Sequence, residues 1–115
     1  IYPTLCKLAG IKVPDHVAGL DITPLLKAPD AKWTPPAITT HGRGNHSVRT
    51  ETHRYIRYAN GDEELYDHRH DPYEWKNIAR NPASRGLKKE LSMWLPGDEA
   101  PEVKTTRRTR KARPR

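Results

Sequence analysis

The sequence predicts an α+β fold: a four-stranded antiparallel sheet with a packed C-terminal helix, entered through a helical lead-in. Three observations carry this. Residues 36–42 (PAITTHG), 45–51 (NHSVRTE), 54–60 (RYIRYAN) and 63–68 (EELYDH) gather β-branched and aromatic residues between turn formers, as short strands do. Asn60-Gly61 separates the last two runs, and this dipeptide marks a hairpin because both central positions of the tight turn need positive φ. Leu87, Leu91, Trp94 and Leu95 recur at i, i+4, i+7 and i+8, one apolar stripe of a helix over residues 82–95.

The elements follow in chain order. YPTLCKLAG places Leu5, Leu8 and Ala9 at helical spacing, and Gly10 supplies a stop. Asp21 or Thr23 can cap a short helix holding Leu25 and Leu26. Residues 28–36, APDAKWTPP, read as a proline-rich connector. The four strands come next, with a break near Thr52-His53. In RYIRY, Ile56 and Tyr58 share one face with Arg54, while Tyr55 and Arg57 share the other. Asp71-Pro72 can open a helical turn. Gly86 weakens the start of the last helix and Pro96-Gly97 ends it; residues 97–115 carry no apolar period and are expected to be disordered. The organisation expected is thus 1–35, lead-in and connector; 36–96, sheet plus helix; 97–115, basic tail.

Composition narrows the functional classes. The 115 residues suffice for one small domain, with 34% hydrophobic residues, no Phe, three Trp and five Tyr to pack it. No apolar run approaches the ~18 residues of a membrane span, so no membrane partner is expected. The net charge of +7 is local: KTTRRTRKARPR (104–115) holds seven Lys and Arg and no acid, while the other residues hold fourteen of each sign. Such a tail can attract nucleic acid or another acidic polymer, but it has no aromatic residue for base stacking. The single cysteine, Cys6, forms no internal disulfide and sits among Leu5, Leu8 and Ala9 as a small apolar residue. The chain opens without Met inside a helical pattern, which suggests a piece of something longer.

Candidate sites are few. The six histidines are His16, His41, His46, His53, His68 and His70, and no HExxH, CxxC or Cys2His2 spacing accompanies them, so no metal ligand is assigned. No nucleophile, base and orienter can be grouped, so no catalytic residue is assigned. The loop THGRGNH (40–46) is the most suggestive stretch. Two glycines bracket Arg43, letting the backbone bend and the guanidinium project, and Arg43 with Asn45 and His46 could grip an anion. Its plain alternative is a connection between strands. ELYDHRHDPYEW (64–75) reads as a strand ending in a structured turn: Tyr66 and Trp75 packing, Asp67, Asp71 and Glu74 satisfying turn amides, His68 and His70 facing water.

Glu64-Leu65-Tyr66-Asp67, Asp71-Pro72, Glu74 and Asn77-Ile78-Ala79 resemble, in order and spacing, the late ELYDL–DP–E–NLA segment of type I sulfatases. IYPTLCKLAGIKVP, GLDITPLLK and HGRGNHSVRTETHRYIRY resemble further segments of that family, the last especially in iduronate-2-sulfatase-like bacterial members. The resemblance covers about residues 1–95. It implies that residues 1–35 end an alkaline-phosphatase-like α/β domain otherwise missing here, and that the chain is the C-terminal region of a sulfuric ester hydrolase, not catalytic alone. The missing N-terminal domain would be its partner, and the lead-in helix would pack on that domain. His41, Arg43 and His46 would border the cleft for a sulfated carbohydrate. Calcium and formylglycine would belong to a full-length parent, since Cys6 is followed by Lys7-Leu8-Ala9-Gly10 and not by the family's C/S-x-P-x-R motif. A periplasmic or extracellular location is implied. The competing reading is a small binding protein whose tail grips nucleic acid or sulfated glycan. A zinc-binding module is a third.

Overall fold

In a computed structural model, which describes residues 1–101, the contacts divide the chain between Pro35 and Pro36. The first unit has two short helices. Helix α1 (Tyr2–Leu8) buries Pro3, Thr4 and Cys6 and is joined to α2 (Thr23–Lys27) by the Thr4 hydroxyl, which accepts from the Ile22 N–H at 3.1 Å. Asp21, not Thr23, holds the start of α2, accepting from the Thr23 N–H at 2.8 Å and from its hydroxyl. Those bonds hold its carboxyl below the usual value. Leu5, Leu8 and Ala9, the residues at helical spacing, are exposed, as are Tyr2 and Ile11.

The second unit is the predicted meander. Strands β1 (Ala37–Thr40), β2 (His46–Arg49), β3 (His53–Arg57) and β4 (Glu63–Asp67) lie antiparallel in the order β1-β2-β3-β4. Register brings Val48 opposite Tyr55, and Tyr55 opposite Leu65. Alternation puts these three on one face, where they are buried. The Tyr55 face is therefore the core face, and Ile56 lies on the half-buried reverse. The β3–β4 loop is Ala59, Asn60 and Gly61 and not a two-residue Asn-Gly turn: the Gly61 N–H donates to the Tyr58 carbonyl at 3.0 Å, Gly61 but not Asn60 takes a positive φ, 90°, and the Asn60 carboxamide oxygen accepts from the Asp62 N–H at 3.0 Å. The Thr50 hydroxyl accepts from the His53 N–H at 2.9 Å and shapes the β2–β3 connection.

A 3-10 turn (Pro82–Ser84), started by the Asn81 side chain, runs into helix α3 (Arg85–Ser92). Leu91 and Leu95, with Ala79, close over Val48, Tyr55 and Leu65, and Ile78 and Leu87 pack at the margin. One residue of the predicted stripe departs: Trp94 is 46% exposed. The α-helix ends at Ser92, and Trp94 and Leu95 continue through i→i−3 bonds to Leu91 and Ser92.

The two sheet margins are finished differently. At β4, the Asn77 side chain stands in for a neighbouring strand. Its oxygen accepts from the Leu65 N–H at 3.1 Å and the Ala79 N–H at 2.9 Å, and its nitrogen donates to the Glu63 carbonyl at 3.2 Å. The Ile78 N–H then donates to the Leu65 carbonyl at 2.9 Å. At β1 all four residues are exposed.

Candidate functional site

The β1–β2 loop is built from its glycines outward. Gly42 and Gly44 hold φ of 70° and 77°, where side chains are strained. At Gly44 the fit is also steric: a Cβ would lie 2.8 Å from the Ala59 Cβ. Asn45 fixes this approach, its oxygen accepting from the Ala59 N–H at 3.1 Å and its amide donating to the Arg43 carbonyl at 3.1 Å. The His41 N–H closes the loop on the Asn45 carbonyl at 3.0 Å. His41 and Arg43 are left exposed.

His46 is placed otherwise. It is 2% exposed, because position 46 shares the core face with Val48. Its Nδ1 shares a hydrogen bond with the Thr40 hydroxyl at 2.9 Å, and its Nε2–H donates to Glu99 Oε1 at 2.8 Å. Thr40 sits opposite His46 in the strand register. The other Glu99 oxygen, Oε2, accepts from the Gly44 N–H at 2.7 Å. One carboxylate thus sits in a seat made by a backbone N–H and an imidazole N–H. The His46 bond first, the Gly44 bond next, and the neighbouring Arg43 charge hold the Glu99 carboxyl below the ordinary glutamate value. A cleft of about 470 Å³ opens here between the loop and residues 96–101. The segment expected to be disordered from Gly97 is therefore anchored at Glu99. The sequence shows no period there because two side-chain bonds, not an element, hold it.

The loop brings Arg43 and His46 to one cleft, while His41 is absent from its lining. Thr40 and Glu99 escaped sequence reasoning. Thr40 was legible in principle, as the hairpin register pairs it with His46; Glu99, fifty-three residues from its partner, was not.

The stretch 64–75 divides three ways. Asp67 and Asp71 do satisfy turn amides: Asp67 accepts from the Arg69 N–H at 3.1 Å, and Asp71 from the Lys76 and Trp75 N–H groups at 2.8 and 3.1 Å. Arg69 foremost pulls the Asp67 carboxyl well below the usual range. Glu74 instead takes Arg54 at 3.1 Å and His68 at 2.5 Å, and His68 Nδ1 accepts from Arg49 at 2.7 Å. His68 is accordingly largely shielded, while His70 is open to water. Trp75 does not pack in a core; it is 86% exposed and stacks on Tyr73 with ring centroids 5.5 Å apart. Glu74, at φ 60°, stands between them. Tyr66 donates to Glu64 at 2.9 Å, and burial followed by that bond pushes its phenol up to about 12.

Among the described residues no three His, Cys, Asp or Glu side chains converge to hold a metal ion. Cys6 is buried in α1 without the sequence context of a formylglycine. The residues present therefore do not fit calcium or formylglycine, and no chemical step through either is assigned to them. No helix among these residues is long and apolar enough to cross a membrane.

Comparison with known proteins gives one answer. The family "N-sulphoglucosamine sulphohydrolase, C-terminal" matches residues 1–99. A sulfatase of Formosa agariphila is 35% identical over 87% of this chain, and a Delta 4,5-hexuronate-2-O-sulfatase of Bacteroides thetaiotaomicron is 39% identical over 71%. The solved structure of BT4656 in complex with D-glucosamine-2-N,6-O-disulfate superposes on 79% of the chain with a TM-score of 0.62 and 26% identity. The chain spans about a fifth of each of these: 20%, 19% and 21% of their lengths. Nothing in these likenesses favours a separate nucleic-acid-binding protein, and the basic stretch 104–115 lies outside both the matched span and the described residues. The meander, its packed helix and the matched motifs agree: the chain belongs to the N-sulphoglucosamine sulphohydrolase C-terminal family, a C-terminal region of the sulfatases.

Proposed function

We propose that this chain completes the fold of a sulfuric ester hydrolase and borders its substrate cleft with the β1–β2 loop, the reacting groups residing in the N-terminal part. That part is its partner, and the outward Leu5, Leu8 and Ile11 are the apolar surface on which it rests. A full-length parent takes calcium and formylglycine. The substrate is a sulfated carbohydrate. The hexuronate-2-O-sulfatase relative and the bound disulfated glucosamine support this, and the former favours the narrower iduronate-2-sulfatase likeness.

The single observation that carries the reading is the loop's grip on an anionic group: Gly44 and His46 both donate to one carboxylate, with the Arg43 charge beside it. An exposed Arg43 adds a planar fork of donors suited to sulfate oxygens. In a full-length parent, Arg43→Ala should raise KM for a sulfated sugar about tenfold, equivalent to about 1.4 kcal/mol of lost binding, with kcat and melting temperature little changed. Unaltered KM refutes the role.

A further inference from the structure

The Glu99 carboxylate occupies a place that an external oxyanion could take. Its oxygens lie 2.7 Å from the Gly44 nitrogen and 2.8 Å from His46 Nε2, distances of charge-assisted bonds. The two donors belong to the rigid hairpin: His46 is fixed from behind by Thr40, and Gly44 is pressed on Ala59. The acceptor belongs to residues 97–101, which among the described residues form no helix or strand and are exposed apart from the half-buried Glu99. The donors are preorganised and the acceptor is tethered. The cleft around them is roomy for a small anion, at about 470 Å³.

We propose that the Gly42–His46 loop is an oxyanion seat plugged by the chain's own Glu99, so that a sulfate group binds there only by displacing that carboxylate. This deepens the reading of the loop as a substrate contact and rests on it. A tethered competitor acts as a high local concentration of anion. An incoming sulfate must therefore outbid Glu99, and the seat discriminates against weakly held anions. The buried His46 is reached by the same displacement; with Glu99 in place its two ring nitrogens are both engaged.

The test is a titration of the 115-residue chain with inorganic sulfate at constant ionic strength, followed by the Gly44 amide and His46 imidazole signals in NMR. In Glu99→Ala, both should shift saturably, with a dissociation constant at least about tenfold below that of the unaltered chain. Adding Arg43→Ala to that variant should weaken the binding again. If Glu99→Ala loses the dispersed signals of Val48, Tyr55 and Leu65, the comparison is made with Glu99→Gln, which is neutral and nearly isosteric. Equal sulfate affinity with and without the Glu99 charge overturns the proposal, as does a folded variant whose Gly44 and His46 do not respond. The KM of Arg43→Ala in a full-length parent is a separate readout: a plugged seat with unchanged KM would leave the oxyanion site standing and remove its role in substrate binding.

Discussion

Replacing Tyr55 by phenylalanine deletes one oxygen from the centre of the sheet. That hydroxyl donates to Glu63 Oε1 at 2.6 Å, and Glu63 Oε2 takes the Lys88 ammonium at 2.5 Å. The chain Tyr55–Glu63–Lys88 thus fastens α3 to β3 and β4. A hydrogen bond to a charged group is worth roughly 1.5–3 kcal/mol. Glu63 is partly open to water and keeps Lys88, so the lower end applies, about 1.5 kcal/mol. For a domain of this size each kcal/mol moves the midpoint by about 4–8 °C, so Tyr55→Phe should melt about 6–12 °C lower. Lys88→Met alone should cost less, about 0.5–1 kcal/mol, as a partly exposed pair. Because both act on one carboxylate, the double variant should depart from additivity by about 0.5 kcal/mol or more. Urea and thermal unfolding of the four chains measure this. The pH dependence carries a sign. Burial, then the Glu63 bond, raises the Tyr55 phenol far above its ordinary 10. Its contribution is complete below about pH 10 and fades above it, so the gap between the two proteins should narrow in strong alkali. A loss under about 2 °C, or strict additivity, would refute the network.

Other perturbations follow from the same geometry. Asn77→Ala, at an exposed position, should cost about 1–2 kcal/mol in urea unfolding because it orphans strand amides at the β4 margin; a change below about 0.3 kcal/mol would show that water replaces it. Gly44→Ala should cost at least about 2 kcal/mol, since its Cβ would meet Ala59 and its φ is strained. Gly42→Ala, whose Cβ would meet only Asn45 Nδ2 at an ordinary 3.9 Å, should pay only the strain, about 1 kcal/mol. Acid should act in two stages. Burial lowers His53 below its ordinary 6.5 despite the nearby Asp67, so its contribution is complete above about pH 6.5 and wanes as pH falls below it. Asp67, Asp71, Glu63 and Glu99 are all depressed by their partners; what they contribute is present above about pH 4 and lost on further acidification. Melting temperature against pH, with His53→Gln removing the first stage, checks both.

What was legible in the sequence was local or periodic. Asn60-Gly61 announced its hairpin, the short connections announced a meander, and Leu87 and Leu91 announced the packed face of α3. Trp94 was misread because the helical period was extended past Ser92, where the α-helix ends. Trp75 was misread because a large aromatic residue beside a turn suggests packing, while its surroundings supply only Tyr73. The choice between the Tyr55 face and the Ile56 face could not be made from alternation alone, which is symmetric; α3 decides it. Of the site, Gly42, Arg43, Gly44 and His46 were visible as a loop pattern. The Glu99 carboxylate that organises it was hidden, since pairing across fifty-three residues leaves no mark on spacing.

The unequal finish of the two sheet margins has a practical consequence. Leu65 N–H and the Glu63 carbonyl are already answered by Asn77, and the Leu65 carbonyl by the Ile78 N–H, so they offer another polypeptide nothing. Residues 37–40 offer a bare rail of β-prone side chains, the usual starting point for unwanted strand addition. Clumping in concentrated samples should therefore begin at Ala37–Thr40, and a lysine in place of Thr39 is the economical remedy.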